Sequence, residues 1–291
     1  MIRELAPAKV NLFLHAGNRR ADGYHDIESL VVFASVGDEL RLEEADELSL
    51  HVEGPFASML ANEPDNLVLR AARRFGEQAQ IEPRVQITLT KNLPVASGIG
   101  GGSSDAAATF RGLSRLWPGR TNLQALWDIG ADIGSDVPVS VLPGCWWMTG
   151  RGERFANVGE LGTFDALLVN AAVPVSTAAM YDALRDRTGV GRIARPPRFR
   201  TISELAEYLA SARNDLEAPA RELCPVIGEQ LEMLVNTRAL LARMSGSGAT
   251  CFGIYPDAVS AQAAAHTIAE QHPNWWLAPT KLNYGREWKL Q

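Results

Sequence analysis

The sequence predicts an α+β protein of two domains, and three observations support that fold class. Its 291 residues suffice for two domains of roughly 100–200 residues each. Hydrophobic residues make up 46% of the chain and charged residues 21%, proportions typical of a soluble globular protein. Strand-like and helix-like periodicities occur in both halves. Glycines and charged residues around positions 151–154 indicate a boundary, which divides the chain into residues 1–152 and 153–291.

Strands come first along the chain. Val10, Leu12 and Leu14 have the alternation of a half-buried strand. Lys9 and Asn11 therefore project from the same face of that strand. The same alternation predicts further strands, the first three of them as a meander, at residues 27–36, 40–42, 48–52 and 85–89.

Helical periodicity begins near Asp65-Asn66 and continues through Gly76. A second helix follows a glycine-rich segment, and the sequence from Gly134 to Pro138 ends a third. The helices predicted after the first lie near residues 103–117, 122–133, 177–187, 202–212, 219–243 and 258–271, with strands at 167–170 and 250–255. The basic segment 192–200 is predicted to be an exposed loop.

Composition excludes several classes of partner. The formal net charge is -6, so we expect no basic stripe and no nucleic-acid partner. The three cysteines are far apart, which fits neither a disulfide framework nor a zinc site and predicts reduced thiols. The first residues lack the apolar core of a signal peptide, and the apolar stretch 137–148 is too short to span a bilayer. We therefore expect a cytoplasmic protein without a membrane partner.

The segment with the clearest chemistry is a glycine-rich loop between a predicted strand and a predicted helix. Its residues are Pro94, Val95, Ala96, Ser97, Gly98, Ile99, Gly100, Gly101, Gly102, Ser103 and Ser104. The glycines let the backbone approach a ligand closely, and the amide groups at the start of the helix favour an anion. The two serines offer hydroxyls to phosphate or to a hydrated metal. The loop therefore predicts a phosphate site, against the alternative of a plain turn with a serine N-cap.

Two common phosphate-binding motifs do not fit this loop. The Walker A motif ends in Gly-Lys-Ser/Thr, and no lysine stands at that place. The dinucleotide motif needs a third glycine where Ser103 stands, and it follows the first strand of its unit, whereas several strands precede this loop. A different class of nucleotide site is therefore indicated.

Residues 94–107 resemble the ATP loop of the GHMP kinase superfamily. Met244–Ala249 resembles the third glycine motif of the same superfamily. Three further segments, Ala6–Leu14, Arg20–His25 and Gly130–Pro138, are similar to motifs of the branch that phosphorylates a cytidine diphosphate ester. The resemblance implies the two-domain GHMP kinase fold, with the active site in the cleft between the domains.

The same resemblance implies transfer of the γ-phosphate of ATP, with Mg²⁺ as the accompanying metal, to a hydroxyl of a small-molecule cytidine diphosphate substrate. That reaction belongs to non-mevalonate isoprenoid precursor biosynthesis. The protein ligand of Mg²⁺ stays open among Ser103, Ser104, Asp105, or phosphate and water alone. Two alternatives also stay open, a kinase of homoserine or mevalonate type and a non-catalytic nucleotide-binding module. We expect a monomer or a weak homodimer.

Two residues match the catalytic pair of the superfamily. Asp136 matches the base that accepts the hydroxyl proton, although the residues alone would favour a helix cap. Lys9 matches the catalytic lysine, which would keep Asp136 ionised and stabilise negative charge on the transferring group. Asn11 would hydrogen-bond the region of the substrate hydroxyl.

The resemblance also assigns residues to the two ligands. Tyr24 would stack on cytosine and His25 would hydrogen-bond its edge, while Tyr181 stands where the family often has a phenylalanine that completes the sandwich. Thr177 would line the same cleft.

Two residues are assigned to the adenine pocket by position, Asn66 and Lys91, although Asn66 could equally cap a helix. The segment Ser245–Gly248 would either contact the substrate diphosphate or form a tight entry to a strand.

Overall fold

A computed structural model describes residues 1–60, 66–159, 161–184, 190 and 193–283. The strands in this part of the chain are β1 (Ile2–Arg19), β2 (His25–Glu44), β3 (Ser49–Glu53), β4 (Val85–Thr90), β5 (Trp146–Gly150), β6 (Arg154–Asn157), β7 (Phe164–Asn170), β8 (Leu241–Met244), β9 (Cys251–Tyr255) and β10 (Trp276–Leu282). The helices are α1 (Leu67–Ala79), α2 (Gly101–Leu116), α3 (Leu123–Ile133), α4 (Val137–Val141), α5 (Thr177–Asp182), α6 (Ile202–Ala210), α7 (Glu217–Leu223), α8 (Val226–Asn236) and α9 (Ala258–Gln271).

The long antiparallel hairpin of β1 and β2 carries Lys9 and Asn11, two of the candidate site residues. Its register shifts between Pro7 and Lys9 and again between Asn11 and Phe13. Such bulges bend a strand and re-aim its side chains. Lys9 and Asn11 are only 5% and 3% exposed, so the strand holds two polar groups inside the fold. The prediction that both project from one face agrees with the contact between their side chains.

The predicted meander is wrong at β3. The strand order runs β3-β4-β2, with β3 parallel to β4 and β2 antiparallel to β4. The chain between β3 and β4 includes α1, and a helical crossover returns the next strand in the same direction. Alternation of hydrophobic residues predicts that a strand exists but does not specify its neighbour.

A second set of strands, β10-β7-β9-β8, continues the sheet on the other side of β2. The link is the pairing of Leu282 with Ala34. Strand β10 begins at Trp276, which is partly buried and packs against the hydrophobic core. Residues 151–153 form the turn between β5 and β6, which pair with each other, and β5 also pairs with β2. A domain boundary after residue 152 remains a prediction.

The helix predicted over residues 219–243 is wrong, because the structure divides that segment. Helix α7 ends at Leu223, and α8 begins after Pro225, which has no amide hydrogen to continue a helix. Residues 241–244 are strand β8. The helix predicted over 177–187 is observed as α5 through Asp182, and residues 185–187 lie outside the described part of the chain. Residue 192 of the predicted basic loop also lies outside it.

Packing of α2 against the sheet fixes the loop that precedes this helix. Phe110 of α2 and Phe75 of α1 are fully buried, and burying each phenylalanine contributes about 1.5–3 kcal/mol. A Cβ on Gly112 would lie 2.6 Å from Leu42 Cδ1, so only glycine allows α2 to approach β2 this closely. This packing holds α2, and with it the preceding loop, against the sheet.

Cys145, Cys224 and Cys251 are free cysteines in the structure. Among the helices of the described residues, none has both the length and the hydropathy that a membrane span requires.

Candidate active site

Two neighbouring cavities meet at the glycine-rich loop. The larger has a volume of about 560 Å³ and is lined by residues of the β1–β2 hairpin, α5 and the segment before α4. The smaller has a volume of about 280 Å³ and is lined by the loop, the start of α2 and Asn66. Gly98 and Gly100 line both cavities. A molecule in one cavity can therefore face a molecule in the other across the loop.

Lys9 and Asp136 form an ion pair in the wall of the larger cavity. Lys9 Nζ lies 3.1 Å from Asp136 Oδ2 and also donates a hydrogen bond of 3.1 Å to Asn11 Oδ1. The side-chain amide of Asn11 in turn donates from Nδ2 to Ser29 Oγ at 2.8 Å. The lysine side chain is 6% exposed and the aspartate 33%, so the pair is anchored in the protein and open on the carboxylate side.

The alternative that Asp136 serves as a helix cap does not hold. Asp136 occupies the N-cap position of α4, but its side chain makes no capping hydrogen bond. Its backbone angles, φ -91° and ψ -8°, differ from the extended conformation of an ordinary capping residue. The carboxylate is turned to Lys9 instead, and Pro138 fits the first turn of α4, where no backbone donor is needed.

The first residues of α2 line the smaller cavity, and no side chain makes a capping hydrogen bond to them. Gly100 is the N-cap of α2, with φ +63°, and no side chain caps it. The alternative of a serine N-cap is therefore excluded. The first amide groups of a helix have no partner within the helix, and they favour an anion placed before them. A Cβ on Gly100 would lie 3.2 Å from Lys9 Cε, so the loop rests directly on the catalytic lysine candidate.

The structure separates the two serines of the loop. Ser103 lines the smaller cavity. Ser104 is fully buried and donates its hydroxyl to the Pro7 carbonyl at 2.8 Å. The prediction that Ser104 offers a hydroxyl to phosphate or metal is therefore wrong, because one helical position beyond Ser103 the side chain points to the strand below.

The other loop residues also differ in whether they are buried or line the smaller cavity. Ile99 is fully buried, and its carbonyl accepts a hydrogen bond of 2.9 Å from the Lys9 amide, which ties the loop to β1. The remaining loop residues line the smaller cavity, namely Pro94, Val95, Ala96, Ser97, Gly98, Gly100, Gly101 and Gly102. The backbone of the loop, and not the side chain of Ile99, is thus available to a ligand.

Asn66 and Lys91 both line the smaller cavity, and the side chain of each makes hydrogen bonds within the protein. Asn66 Oδ1 accepts from the Val68 amide at 2.9 Å and so caps α1. Lys91 Nζ is buried and donates to Asp38 Oδ2 at 2.5 Å and to Asp105 Oδ2 at 2.8 Å. The sequence predicted neither carboxylate as a partner of Lys91, because the three residues come from separate elements.

The aromatic residues of the larger cavity form a different pair from the one expected. Tyr181 stacks on His25, with ring centroids 5.2 Å apart and an interplanar angle of 24°. Burial, with a contribution from the Asp136 charge, raises the pKa of Tyr181 to about 12, so its hydroxyl stays neutral. Tyr24 is 56% exposed, and Arg151 Cζ lies 5.2 Å from its ring centroid. Cytosine stacking on Tyr24 remains a prediction.

Two hydroxyls from the C-terminal half of the chain, those of Thr177 and Ser247, contact each other in the wall of the larger cavity. Thr177 Oγ1 and Ser247 Oγ are 2.8 Å apart, which joins the N-terminus of α5 to the turn after β8. Gly246 of that turn lines the same cavity. Ser245 is fully buried, and its hydroxyl accepts a hydrogen bond of 3.1 Å from the backbone amide of Asn11. The Ser245–Gly248 segment is therefore both a structural turn and part of the cavity wall.

Sequence reasoning missed several residues of the larger cavity. Arg19, Ser135, Arg151 and Asp182 line it beside the expected residues. Ser135 could have been found from its place next to Asp136 in the quoted motif. Arg151 lies in a turn between two short strands, and no periodicity or motif marks it.

The fold and the site define a small-molecule kinase of the GHMP class. Residues 66–144 match the family "GHMP kinases N terminal domain" and residues 180–274 match "GHMP kinases C terminal". A solved homoserine kinase from Cytophaga hutchinsonii superposes with a TM-score of 0.65 at 17% identity, covering 96% of this chain and 93% of that one. The predicted superfamily and fold class are thus confirmed.

Closer relatives define the family within that class. The 4-diphosphocytidyl-2-C-methyl-D-erythritol kinase of Parvibaculum lavamentivorans is 47% identical over 95% of this chain and 96% of its own. The enzyme of that name from Ruegeria pomeroyi is 47% identical over 95% and 98%. A crystal structure of 4-(cytidine 5'-diphospho)-2C-methyl-D-erythritol kinase superposes with a TM-score of 0.80 at 31% identity, covering 98% of this chain and all of that one. The chain belongs to the 4-diphosphocytidyl-2-C-methyl-D-erythritol kinase family.

Proposed function

We propose that the protein transfers the γ-phosphate of ATP to the 2-hydroxyl of 4-diphosphocytidyl-2-C-methyl-D-erythritol. The products are the 2-phosphate of the substrate and ADP. The observation that carries the proposal is the Lys9–Asp136 ion pair at 3.1 Å, which faces the larger cavity and lies beside the glycine loop of the smaller one. This arrangement supports one ligand per cavity, with the reacting groups meeting at Gly98 and Gly100.

Asp136 acts as the general base in this mechanism. The substrate oxygen attacks the γ-phosphorus while its proton passes to the Asp136 carboxylate. The new oxygen–phosphorus bond forms as the bond between the γ-phosphorus and the bridging oxygen of ADP breaks. A carboxylate that is partly exposed and held by one lysine can receive a proton at the oxygen that faces the substrate.

Lys9 positions the base and stabilises charge. Its ammonium group sits between Asp136 and Asn11, so three hydrogen-bonding groups are fixed relative to one another. Phosphoryl transfer depends mainly on positioning and on electrostatic stabilisation of the transferring oxygens. The ammonium of Lys9 supplies a positive charge there, and the amides at the start of α2 supply further donors.

Mg²⁺ is proposed to accompany ATP, as kinase chemistry requires a cation to neutralise the phosphate oxygens. Among the described residues there is no group of three or more His, Cys, Asp or Glu side chains that could hold a metal. Mg²⁺ does not require a group of three such side chains, because it keeps several waters and needs only one or two protein ligands beside phosphate. Ser103, which lines the smaller cavity, is the residue that would hold it, because the Ser104 hydroxyl is buried and bonded to the Pro7 carbonyl and Asp105 Oδ2 is bonded to Lys91.

The cytidine end of the substrate is assigned to the stack of His25 and Tyr181. His25 Nδ1 lies 3.1 Å from the Gly17 carbonyl, which orients the imidazole ring from behind. Tyr24 and Arg151 stand at the mouth of the same cavity, an aromatic face and a cation that suit a base and a diphosphate. Binding of the two halves of the substrate would thus be divided between the hairpin and the β5–β6 turn.

A substrate panel tests the proposal. Purified protein is mixed with ATP, Mg²⁺ and the cytidyl substrate, homoserine or mevalonate in separate reactions, and ADP formation is followed. We expect turnover only with the cytidyl substrate. Turnover with homoserine or mevalonate and none with the cytidyl substrate would overturn the assignment. The expected monomer or weak homodimer, cytoplasmic location and absence of nucleic-acid partners remain predictions.

A further inference from the structure

A buried arginine joins the strand of Lys9 to the short helix that begins after Asp136. Arg111 lies in α2, and its side chain is 4% exposed. Its Nη2 donates to the Leu5 carbonyl of β1 at 2.6 Å. Its Nη1 donates to the Ser140 carbonyl of α4 at 2.8 Å. One guanidinium group therefore spans the two elements that carry the proposed catalytic pair.

The contacts to α4 lie at the end of that helix. The last carbonyl groups of a helix have no partner within the helix, and a planar guanidinium can donate to more than one of them. Arg111 Nη1 also donates to the Val141 carbonyl at 3.4 Å. All five residues of α4 are buried, and five residues make little more than one turn. Tertiary contacts therefore fix the place of α4, because so short a helix is not stable by itself.

Glu4 of β1 balances the charge of Arg111 inside the protein. Arg111 Nε donates to Glu4 Oε2 at 3.0 Å, and the Glu4 side chain is 4% exposed. Arg115, one turn further along α2, donates to Glu4 Oε1 at 2.6 Å and to the Arg3 carbonyl at 3.1 Å. Arg115 is 45% exposed, and none of its hydrogen bonds among the described residues reaches α4. The two arginines therefore share Glu4 but differ in the contact to α4.

A second hydrogen bond continues the connection to Asp136. Ser140 is fully buried, and its hydroxyl donates to the Asp136 carbonyl at 2.8 Å. The Asp136 side chain makes no capping bond, and in the described part of the chain its carboxylate pairs only with Lys9. The backbone of residues 136–140 therefore decides where that carboxylate stands. Arg111 holds the Ser140 carbonyl, and the Ser140 hydroxyl holds the Asp136 carbonyl.

We propose that Arg111 is a positioning residue of the phosphoryl transfer, which acts through Ser140 to keep the Asp136 carboxylate within reach of the acceptor hydroxyl. The proposal rests on the proposed function, in which Asp136 is the general base. A base has to lie within hydrogen-bond distance of the proton that it accepts, so displacement of α4 lowers kcat. ATP binds at the start of α2, about three turns before Arg111, so its affinity does not depend on the contact to α4.

Kinetics in two backgrounds test the proposal. Arg111→Lys keeps a positive charge beside Glu4 but replaces the guanidinium fork with a single ammonium group. Arg115→Lys is the matched control, since Arg115 has the same carboxylate partner and no bond to α4 among the described residues. Both changes are made in the wild type and in Asp136→Asn, and kcat and the KM for ATP are measured. A residue that acts through Asp136 loses its effect once the base is gone.

We expect Arg111→Lys to lower kcat by about 10-fold to 100-fold and to leave the KM for ATP within about twofold. In the Asp136→Asn background the same change should alter the residual kcat by less than about twofold. Arg115→Lys should leave kcat within about twofold of its parent in both backgrounds. Equal losses in both backgrounds would indicate general damage to the fold and overturn the proposal. An unchanged kcat in folded Arg111→Lys would overturn it too.

Amide hydrogen exchange, read by mass spectrometry without substrate, measures the stability of α4 directly. The amides of residues 137 and 139–142 report on this helix and its end, since Pro138 has no amide hydrogen. We expect their exchange to become at least about tenfold faster in Arg111→Lys and to stay unchanged in Arg115→Lys. Unchanged exchange in Arg111→Lys would show that the arginine does not hold α4, which contradicts the proposal.

A second variant covers the case in which Arg111→Lys does not fold. Ser140→Ala removes only the hydroxyl bond to the Asp136 carbonyl. It should lower kcat by about threefold to tenfold in the wild type and not in Asp136→Asn, and an unchanged kcat would overturn the proposal. The kinetics use whichever acceptor the wild type phosphorylates, so turnover of another acceptor contradicts the proposed function and leaves the role of Arg111 intact. If no acceptor is phosphorylated, the exchange of α4 decides.

Discussion

Gly98 and Gly248 touch backbone to backbone where the two halves of the fold meet. A Cβ on Gly98 would lie 2.3 Å from the Gly248 carbonyl oxygen, closer than any side chain allows. Gly98 also has φ +74°, a conformation that disfavours other residues. The neighbouring bond from the Thr250 amide to the Ser97 carbonyl, 3.0 Å, holds the same contact. The glycine loop is therefore positioned by the turn after β8 as well as by its own helix.

Gly98→Ala should disable nucleotide binding through this contact. The new methyl group must push the Gly248 turn away, and we expect kcat/KM to fall by at least about 100-fold, since small displacements of a positioned site have effects of this size. Gly119→Ala is the matched control, because Gly119 has φ +76° and nothing within 4 Å of the added carbon. The control should cost about 1 kcal/mol of stability and leave the kinetics unchanged. Equal kinetics for the two variants would contradict the contact.

Asp136→Asn should remove the general base while preserving the fold. The amide cannot accept the hydroxyl proton, so we expect kcat to fall by about 100-fold to 10,000-fold with little change in the KM of either substrate. Steady-state kinetics of both substrates measure this split. The control is Asp132→Asn on the adjacent helix, whose carboxylate is exposed and pairs with Arg74 at the surface. Turnover of Asp136→Asn within a few-fold of wild type would disprove the mechanism.

Tyr181 should act through its ring and not through its hydroxyl. Its ring stacks on His25 at 5.2 Å, and Tyr181→Phe keeps that face. We expect Tyr181→Phe to keep the KM for the cytidyl substrate within about threefold, whereas Tyr181→Ala should raise it by the equivalent of about 1–3 kcal/mol. The KM for ATP should not change in either variant. A large effect of Tyr181→Phe would show that the hydroxyl carries the recognition.

The sequence predicted the residues of the site better than their contacts. Lys9, Asp136 and the loop could be assigned because motifs and a two-residue strand period place them. The Lys91 pairs with Asp38 and Asp105 could not, because they join residues 53 and 14 positions apart through tertiary packing. The partners of β3 and the division of residues 219–243 depend likewise on crossover direction and on Pro225.

Burial of Asp105 in the folded protein should appear in the pH dependence of stability, because burial raises its pKa. The pKa of Asp105 rises from 3.8 to about 8 on folding, so between these values the folded state holds one more proton than the unfolded chain. The contribution is full below the unfolded pKa and is lost as the pH rises through the folded one. The free energy of unfolding is measured by chemical denaturation at about pH 5 and at about pH 7.5. Between these pH values it should fall less for Asp105→Asn than for wild type, and the two falls should differ by at least about 1 kcal/mol. Identical falls would place the proton elsewhere.

The two serines of the loop should respond to mutation in opposite ways, although the sequence does not distinguish them. Ser104→Ala removes the donor of the Pro7 carbonyl inside the core and should cost about 1–2 kcal/mol in the free energy of unfolding. Its kcat should stay near wild type, because the hydroxyl is fully buried and faces β1. Ser103→Ala should leave stability unchanged and lower kcat by about tenfold at limiting Mg²⁺, since Ser103 lines the nucleotide cavity. The free energy of unfolding and the Mg²⁺ dependence of kcat are measured on the same preparations of both variants, so that each variant serves as the control for the other. The reverse pattern would mean that Ser104 turns toward the ligand and that the hydrogen bond to Pro7 does not hold the loop.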